Sequence, residues 1–430
     1  MANKAVRLRR VLFDIGVAVR CLLLLTLLIV SLTQARSAWL KRHAVFTAVA
    51  TFILVCVGGL VTSHGAGLAV PDWPYSCGYN MFFFPVSKWV GGVFFEHTHR
   101  LAASLVGFLT LVLAFWLFGW KSRAWLRRGG GVIMAAGAGL ALIFPAHAAE
   151  SLLLCGIGAG GFVAGFYWPK CEPAPKWLRV LGVAALAAVV AQGVLGGLRV
   201  TEMKDELGIF HAALAQLFFL LVCAIAMFQT DFWGRLPVGA EADGHHIRLL
   251  FSATTGLVLA QLIVGAAMRH QHAGLAIPDF PAAYGRLWPD TSPDAIARYN
   301  QNRLEIMAYN PITAAQVDLQ MAHRILALLV FAAVAFCAAR ARSCLGARHW
   351  LTGFSRVWFG LVTAQVFLGA ATIWTGKSAD VATAHVAVGA LCLAAGGLAS
   401  LVSFRLLASP AAQVERVEKM EPLRRGGQTA

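Results

Sequence analysis

Four histidines hold the clearest chemical content of this chain: His99, His211, His323 and His385. Each opens a long apolar stretch, and they fall into two pairs because the chain repeats itself. GLAVPDWP (Gly67 to Pro74) is followed by EHTHRLAASLVGFL from Glu96; GLAIPDFP (Gly274 to Pro281) is followed by QMAHRILALLVF from Gln320. AQGVLGGLRV (from Ala191) then precedes His211, and AQVFLGAATIW (from Ala364) precedes His385. Ionisable groups at membrane depth are costly, so those repeated at helix ends are functional candidates. A neutral imidazole is a good axial ligand for heme iron, and helix bundles build cofactor sites from inward-facing side chains. Two facing imidazoles in each half therefore suggest two bis-histidine heme sites.

One departure between the halves bears on reactivity. Glu96 lies three residues before His99, and the matching position before His323 is Gln320. Residues three apart share a helical face, so a carboxylate stands one turn from a ligand in the first half only. It can accept a proton or steady a cationic centre, whereas glutamine has the same shape and can do neither. The competing structural reading is that Glu96 caps its helix or pairs with Arg100. Arg100 and Arg324 also match, and two readings stay open for them: contacts to heme propionates through the planar guanidinium, or interfacial snorkelling. Asp72 and Asp279, each flanked by proline in its loop, read as turn-stabilising. His64, His97, His270 and His272 are further histidines on the same side, where a metal or redox-partner role is the minor reading.

The elements that must place these groups are membrane helices. Hydrophobic residues make up 59% of the 430 and charged residues only 13%, about half the share of a soluble domain. Apolar runs near the length of a bilayer crossing recur, and they are continuous rather than alternating, which excludes a barrel. The net charge of +16 does not mark a nucleic-acid binder, because Lys and Arg cluster in short segments between neutral ones. Arg36, Lys41 and Arg42 form one cluster, Lys121 to Arg128 the next, then Lys170 to Arg179, Arg340 to Arg356 and Arg405 onward, while His64 to Thr98 contains only Lys88. By the positive-inside rule these clusters are cytoplasmic and the PDWP and PDFP loops lie outside. Nine scattered cysteines show no zinc or iron–sulfur spacing; Cys77 alone falls in an outer loop, so no disulfide is expected there.

The expected fold is an all-α polytopic membrane protein of two parallel four-helix-bundle repeats. Its eight core helices fall near 44–62, 99–119, 177–198, 210–228, 249–267, 322–340, 355–373 and 383–405. Four helices restore the starting orientation, so the repeats are parallel. Residues 41–230 form the first repeat and 231–405 the second. The first half is about 51 residues longer between its second and third core helices. This insert, near 130–170, holds two apolar pieces at 131–145 and 150–168 and reads as a hairpin with His147 at its turn. The outer loop before His323 is about 17 residues longer than its counterpart. Residues 1–40 are a basic and apolar segment in which 15–33 form either an extra span or an interfacial helix. Residues 406–430 form a polar cytoplasmic tail expected to be disordered.

Together, Glu96-x-x-His99-Arg100, the PDWP loop, the four histidines and the repeated halves make the chain similar to the heme A synthase family over most of residues 41–405. That family oxidises a methyl group of heme O, at C8 of the ring, to the formyl group of heme A. The resemblance implies that His99 and His211 bind the substrate heme, that His323 and His385 hold a heme b cofactor, and that Glu96 takes the catalytic position. It implies water as the oxygen source, with electrons leaving through the second heme. It also implies dealings with heme O synthase, cytochrome oxidase assembly factors and membrane lipid; a homo-oligomer is compatible. With no Arg/Ser-rich amphipathic presequence in view, a bacterial inner membrane is expected rather than a mitochondrial one, and the basic clusters give the core bundle a cytoplasmic start. Many members carry a cysteine pair in the first outer loop where this chain has only Cys77, and the hairpin insert is not a family feature. Two other classes compete: a diheme cytochrome b-type electron-transfer protein, which leaves the Glu96/Gln320 difference unexplained, and a transporter, which would need broken polar helices at the midplane.

Overall fold

A computed structural model of the chain describes residues 38–144, 148–237, 244–302 and 311–407. Helix dominates, with one two-stranded hairpin, β1 (Tyr75–Ser76) and β2 (Tyr79–Asn80). Ten helices among the described residues are long and apolar enough to cross a membrane. They are α1 (Ala38–Ser63), α2 (Gly91–Leu117), α3 (Ser122–Ile143), α4 (Ala148–Tyr167), α5 (Lys176–Glu202), α6 (Asp205–Phe228), α8 (Gly244–His270), α10 (Ala314–Leu345), α11 (Trp350–Trp374) and α12 (Ala379–Leu406). Two short helices, α7 (Asp231–Arg235) and α9 (Pro293–Gln301), lie in connections. The chain is an all-α polytopic membrane protein.

The described residues divide into two compact units, one made of Val112–Gly182 with those up to Ala44, the other of Val45–Leu111 with those from Val183. The first unit contains the expected hairpin as α3 and α4. Their backbones touch: a Cβ on Gly130 would lie 2.3 Å from the Phe162 nitrogen, and one on Gly158 2.2 Å from the Met134 nitrogen. Any larger residue there would force the helices apart. Membrane helices associate through such close packing because lipid supplies no hydrophobic drive. His147 lies outside the described residues.

The second unit holds most of α1, α2 and α5, and all of α6 to α12. Here α8, α10, α11 and α12 form one four-helix bundle, and α6 packs against α8 and α12. Helix α12 is the most enclosed span, with 67% of its apolar window buried. Its small residues allow this: the Trp358 ring lies 2.5 Å from where a Cβ on Gly396 would stand, and Trp358 and Phe251 are fully buried. Polar side chains join the helices inside this core, Thr254 with Cys337 at 3.3 Å and Thr255 with Ser400 at 3.1 Å.

The loop after α1 and the loop after α8 are copies at the level of the backbone. Left-handed residues recur in register: Gly65 and His272, Cys77 and Tyr284, Gly78 and Gly285. Trp73–Pro74 and Phe280–Pro281 are both cis. The longer second outer loop folds back through α9, capped by Ser292. Asn300 then holds Ile312 by both its backbone groups, at 2.7 and 2.9 Å, and Tyr299 stacks on Tyr284 with centroids 3.4 Å apart.

One expectation needs correction. The sequence placed the histidines at the starts of their helices, but α2 begins at Gly91 and α10 at Ala314, so His99 and His323 sit about two turns inside. His211 and His385 also lie more than a turn inside α6 and α12. These first turns, such as AAQVDLQM, are polar enough to escape an apolar-run reading. They are helical because they pack on the outer loops: Gln316 donates to the Gln271 carbonyl at 2.7 Å, and Thr313 and Gln316 form a capping box. Expectations for residues 15–33 and for the tail beyond Leu407 fall outside the described residues.

Candidate functional site

Each copied loop is tied down by the same three side chains. Asp72 accepts from the Cys77 and Gly78 amides, both at 2.7 Å; Asp279 accepts from Tyr284 and Gly285 at 2.7 and 2.8 Å. Arg100 donates to the carbonyls of Asp72, Tyr75 and Val70 at 2.6 to 2.9 Å. Arg324 donates to those of Ala282 and Asp279 at 2.8 and 2.7 Å. Glu96 accepts from the Val70 amide at 2.9 Å, and Gln320 from the equivalent Ile277 amide at 2.6 Å. Glu96 is buried and also pairs with Arg100 at 2.8 Å, whereas Gln320 turns its amide nitrogen to the Gly274 and Ile277 carbonyls. The pairing of Glu96 with Arg100, the structural reading open at the sequence level, is thus present. Both arginines are engaged with loop carbonyls.

The four histidines share a second repeated device. A Cβ on Gly58 would lie 3.1 Å from His99 Cε1; the figure is 3.2 Å for Gly196 and His211, and 3.1 Å for both Gly265 with His323 and Gly369 with His385. Each ring is seated on a glycine near the C-terminal end of the preceding core helix, α1, α5, α8 or α11. One turn earlier on three of these helices a glutamine donates to the histidine's own carbonyl: Gln192 to His211 at 2.9 Å, Gln261 to His323 at 3.1 Å and Gln365 to His385 at 2.9 Å. On α1 that position is Leu54. The backbone of three of the histidine helices is thereby fixed, and in the second half the same glutamines also reach the rings, Gln261 Nε2 lying 3.2 Å from both His323 nitrogens and Gln365 Nε2 3.5 Å from His385 Nε2.

The geometry of the second pair suits a porphyrin iron. The His323 and His385 ring centroids are 6.5 Å apart. Metal–imidazole bonds of about 2 Å, plus about 1 Å from nitrogen to ring centre on each side, call for about 6 Å. His99 and His211 lie within electrostatic reach of one another. The Nδ1 atoms of His99, His211 and His385 are buried with no hydrogen-bond partner, as expected of rings built to be completed by something else. Among the described residues no group of three or more His, Cys, Asp or Glu forms a metal cluster.

His64, His97, His270 and His272 are otherwise engaged. His97 is buried, bonded to Ser76 at 3.1 Å and packed between Phe84 and Trp89. His64 stacks on Phe95 with centroids 4.1 Å apart. His272 supplies the left-handed turn after α8, and His270 packs against Gly208 of α6. Cys77 is exposed and free.

Sequence reasoning missed the seating glycines, the glutamines and two further arginines, Arg199 and Arg269. A signal for the first two was present. The string AQxxxG occurs at Ala191–Gly196, Ala260–Gly265 and Ala364–Gly369, always ahead of one of the four histidines.

The family model that matches residues 41–396 is COX15-CtaA, described as cytochrome oxidase assembly protein. This chain belongs to that family. The COX15-CtaA match takes in all four seated histidines and both loops. The chain is similar to curated proteins named heme A synthase. The one from Rhizorhabdus wittichii is 27% identical over 366 residues, covering 83% of this chain and 91% of the relative. The one from Rhodopseudomonas palustris is 30% identical over 271 residues, 61% and 68%. One from Bacillus cereus is 24% identical over 363 residues, 81% and 88%.

Proposed function

We propose that the chain is a heme A synthase, a membrane oxidoreductase that converts the C8 methyl of heme O to a formyl group. The carrying observation is the pair of matched histidine seats of which only the first has an acid, Glu96 against Gln320. Similarity to three proteins named heme A synthase supports it.

On this reading His99 and His211 hold the substrate, with its apolar tail in lipid, and His323 and His385 hold a heme b cofactor. A bound heme b supplies one-electron transfer. The seating glycines fix the tilt of each ring, and the glutamines fix the depth of three of the ligand backbones. Methyl-to-formyl oxidation with water as oxygen source releases four protons and four electrons in two hydroxylations. The first half therefore needs a proton acceptor and the second does not. Glu96 can take that role by exchanging its contact with Arg100. The guanidinium would not be orphaned, because it keeps three loop carbonyls.

The family supports a bioenergetic membrane, which we place as a bacterial inner membrane. The ends of α1, α5, α10 and α12 remote from the histidines or their seats carry Lys41, Arg179, Arg340 and Arg405, so the histidine end faces outward by the positive-inside rule. Heme O synthase and cytochrome oxidase assembly factors are the expected supplier and recipient.

The clamp shared by Glu96 and Gln320 also suits a diheme electron-transfer protein in which neither residue reacts. Co-expression with a heme O source, followed by mass analysis of extracted porphyrins, separates the two. Heme A is expected; heme O and heme b alone would favour electron transfer.

A further inference from the structure

Two arginines stand outside the loop clamps. Arg199 lies three residues beyond Gly196 on α5, and Arg269 four residues beyond Gly265 on α8. At about 1.5 Å per residue, Arg199 is about 4.5 Å and Arg269 about 6 Å further along the axis than the glycine that seats a histidine ring. For Arg199 that direction is toward the first outer loop, where its Nη2 lies 2.7 Å from the place a Cβ on Gly67 would take. The matching positions on α1 are Val61 and Thr62, and on α11 Thr372 and Ile373. The charge is therefore supplied once per half, by α5 and by α8.

Both side chains are partly buried, and neither has an ion-pair partner among the described residues. Two acids, Glu96 and Asp205, act on Arg199 through space; Glu96 is paired with Arg100, and Asp205 forms no ion pair with Arg199. Arg269 donates Nη2 to Ser63 Oγ at 2.9 Å, a neutral acceptor, while its Nε is buried with no partner, as is the Nε of Arg324, whose other nitrogens hold the second loop. The two guanidinium groups feel each other's charge. Cations removed from water without a counter-ion are costly, and two within repulsive range cost more. Such a pair is built for anions that arrive with a ligand, and a planar fork matches a carboxylate.

We propose that Arg199 and Arg269 form a paired carboxylate receptor, Arg199 taking a propionate of the porphyrin seated on His99 and His211, and Arg269 one from the porphyrin seated on His323 and His385. This rests on the heme reading above. It gives Arg100 and Arg324 a different task, the holding of the loops. It also places the anionic edges of the two porphyrins side by side where the halves meet.

The test uses the full chain in mild detergent, with apomyoglobin as a sink for released porphyrin. Wild type loaded with iron protoporphyrin should lose it about tenfold more slowly than wild type loaded with the dimethyl ester, since a charge-assisted hydrogen bond is worth about that factor. This comparison needs no variant to fold. Arg269→Leu should abolish the difference for the fraction with the bis-imidazole spectrum of the second pair, and Arg199→Leu for the other; Arg→Lys at either site should restore part of it. Equal release of acid and ester from wild type overturns the receptor, as does an undiminished difference in both Leu variants. A wild-type chain that purifies colourless and takes up neither form overturns the heme reading itself.

Discussion

Glu96 and Gln320 grip the same backbone position in two copied loops, the amide of Val70 in one and of Ile277 in the other. The grip needs only a carbonyl-type oxygen, which both residues have. The negative charge of Glu96 is therefore not required for that grip; it pairs with Arg100 at 2.8 Å, and the proposed function gives it a second use in proton transfer. Gln320 further shows that an amide at this place can be satisfied, because it finds two loop carbonyls for its nitrogen.

Glu96→Gln should accordingly fold and keep both porphyrins. Formyl product should fall by about 100-fold or more, the usual contribution of a positioned acid–base group. Porphyrin content by absorbance and product by mass analysis report the two effects separately. Full product formation would remove Glu96 from the reaction and leave it as a loop clamp.

Much of this architecture was legible in the sequence. The ten spans, the hairpin at α3 and α4, and the doubled loops follow from apolar length, basic clusters and repeated strings, since lipid demands continuous apolar helix and little else. The seats were harder to read. Gly265 and Gly369 look like ordinary membrane-helix glycines until the ring that rests on each is known, and that depends on packing between helices. The loop role of Arg100 was hidden for a related reason: its acceptors are backbone carbonyls, which no side-chain pattern announces. Arg199 and Arg269 fit neither the basic clusters nor the repeat, so no sequence pattern singles them out.

Gly369→Ala should disturb the second porphyrin site alone. The new methyl group would stand 3.1 Å from His385 Cε1, tighter than ordinary contact, and the ring must turn or α11 must shift. Overpacking of this kind costs about 1–3 kcal/mol. The low-spin spectrum of the second pair should weaken while that of the first pair persists. An unaltered spectrum would mean that the seat is loose.

Gln365→Leu should be mild, because Leu54 already occupies the matching place on α1. The substitution removes one interhelical bond to the His385 carbonyl, worth about 0.6–2 kcal/mol in membrane proteins. Thermal unfolding in detergent should shift down slightly with bis-imidazole absorbance retained. Loss of the whole porphyrin would instead assign Gln365 to the ligand ring.

Asp279→Ala should loosen the second outer loop. It leaves the Tyr284 and Gly285 amides without their acceptor, at a cost of about 1 kcal/mol or more for each group kept from water. Tyr284 also carries the stack with Tyr299, so the disturbance should reach α9. Limited proteolysis should show new cleavage between Asp279 and Gln301, while Asp279→Asn, with one oxygen left, should be cut more slowly. Equal resistance in all three proteins would place the loop's stability in its apolar packing instead.

Gly197→Ala tests how the first loop docks on its helix. The Trp73 ring lies only 2.4 Å from the site of the added Cβ, so the indole must leave or α5 must retreat. The second half has a smaller ring and a larger helix residue at the matching positions, Phe280 and Ala370. Large against small in one loop, and smaller against larger in the other, keep the filled volume alike. Gly197→Ala alone should then destabilise the chain by about 1–3 kcal/mol. Adding Trp73→Phe should recover most of the loss, although Trp73→Phe alone leaves a gap and is itself destabilising. A double-mutant cycle in detergent measures this coupling. Additive losses from the two substitutions would show that Trp73 and Gly197 do not determine each other's size.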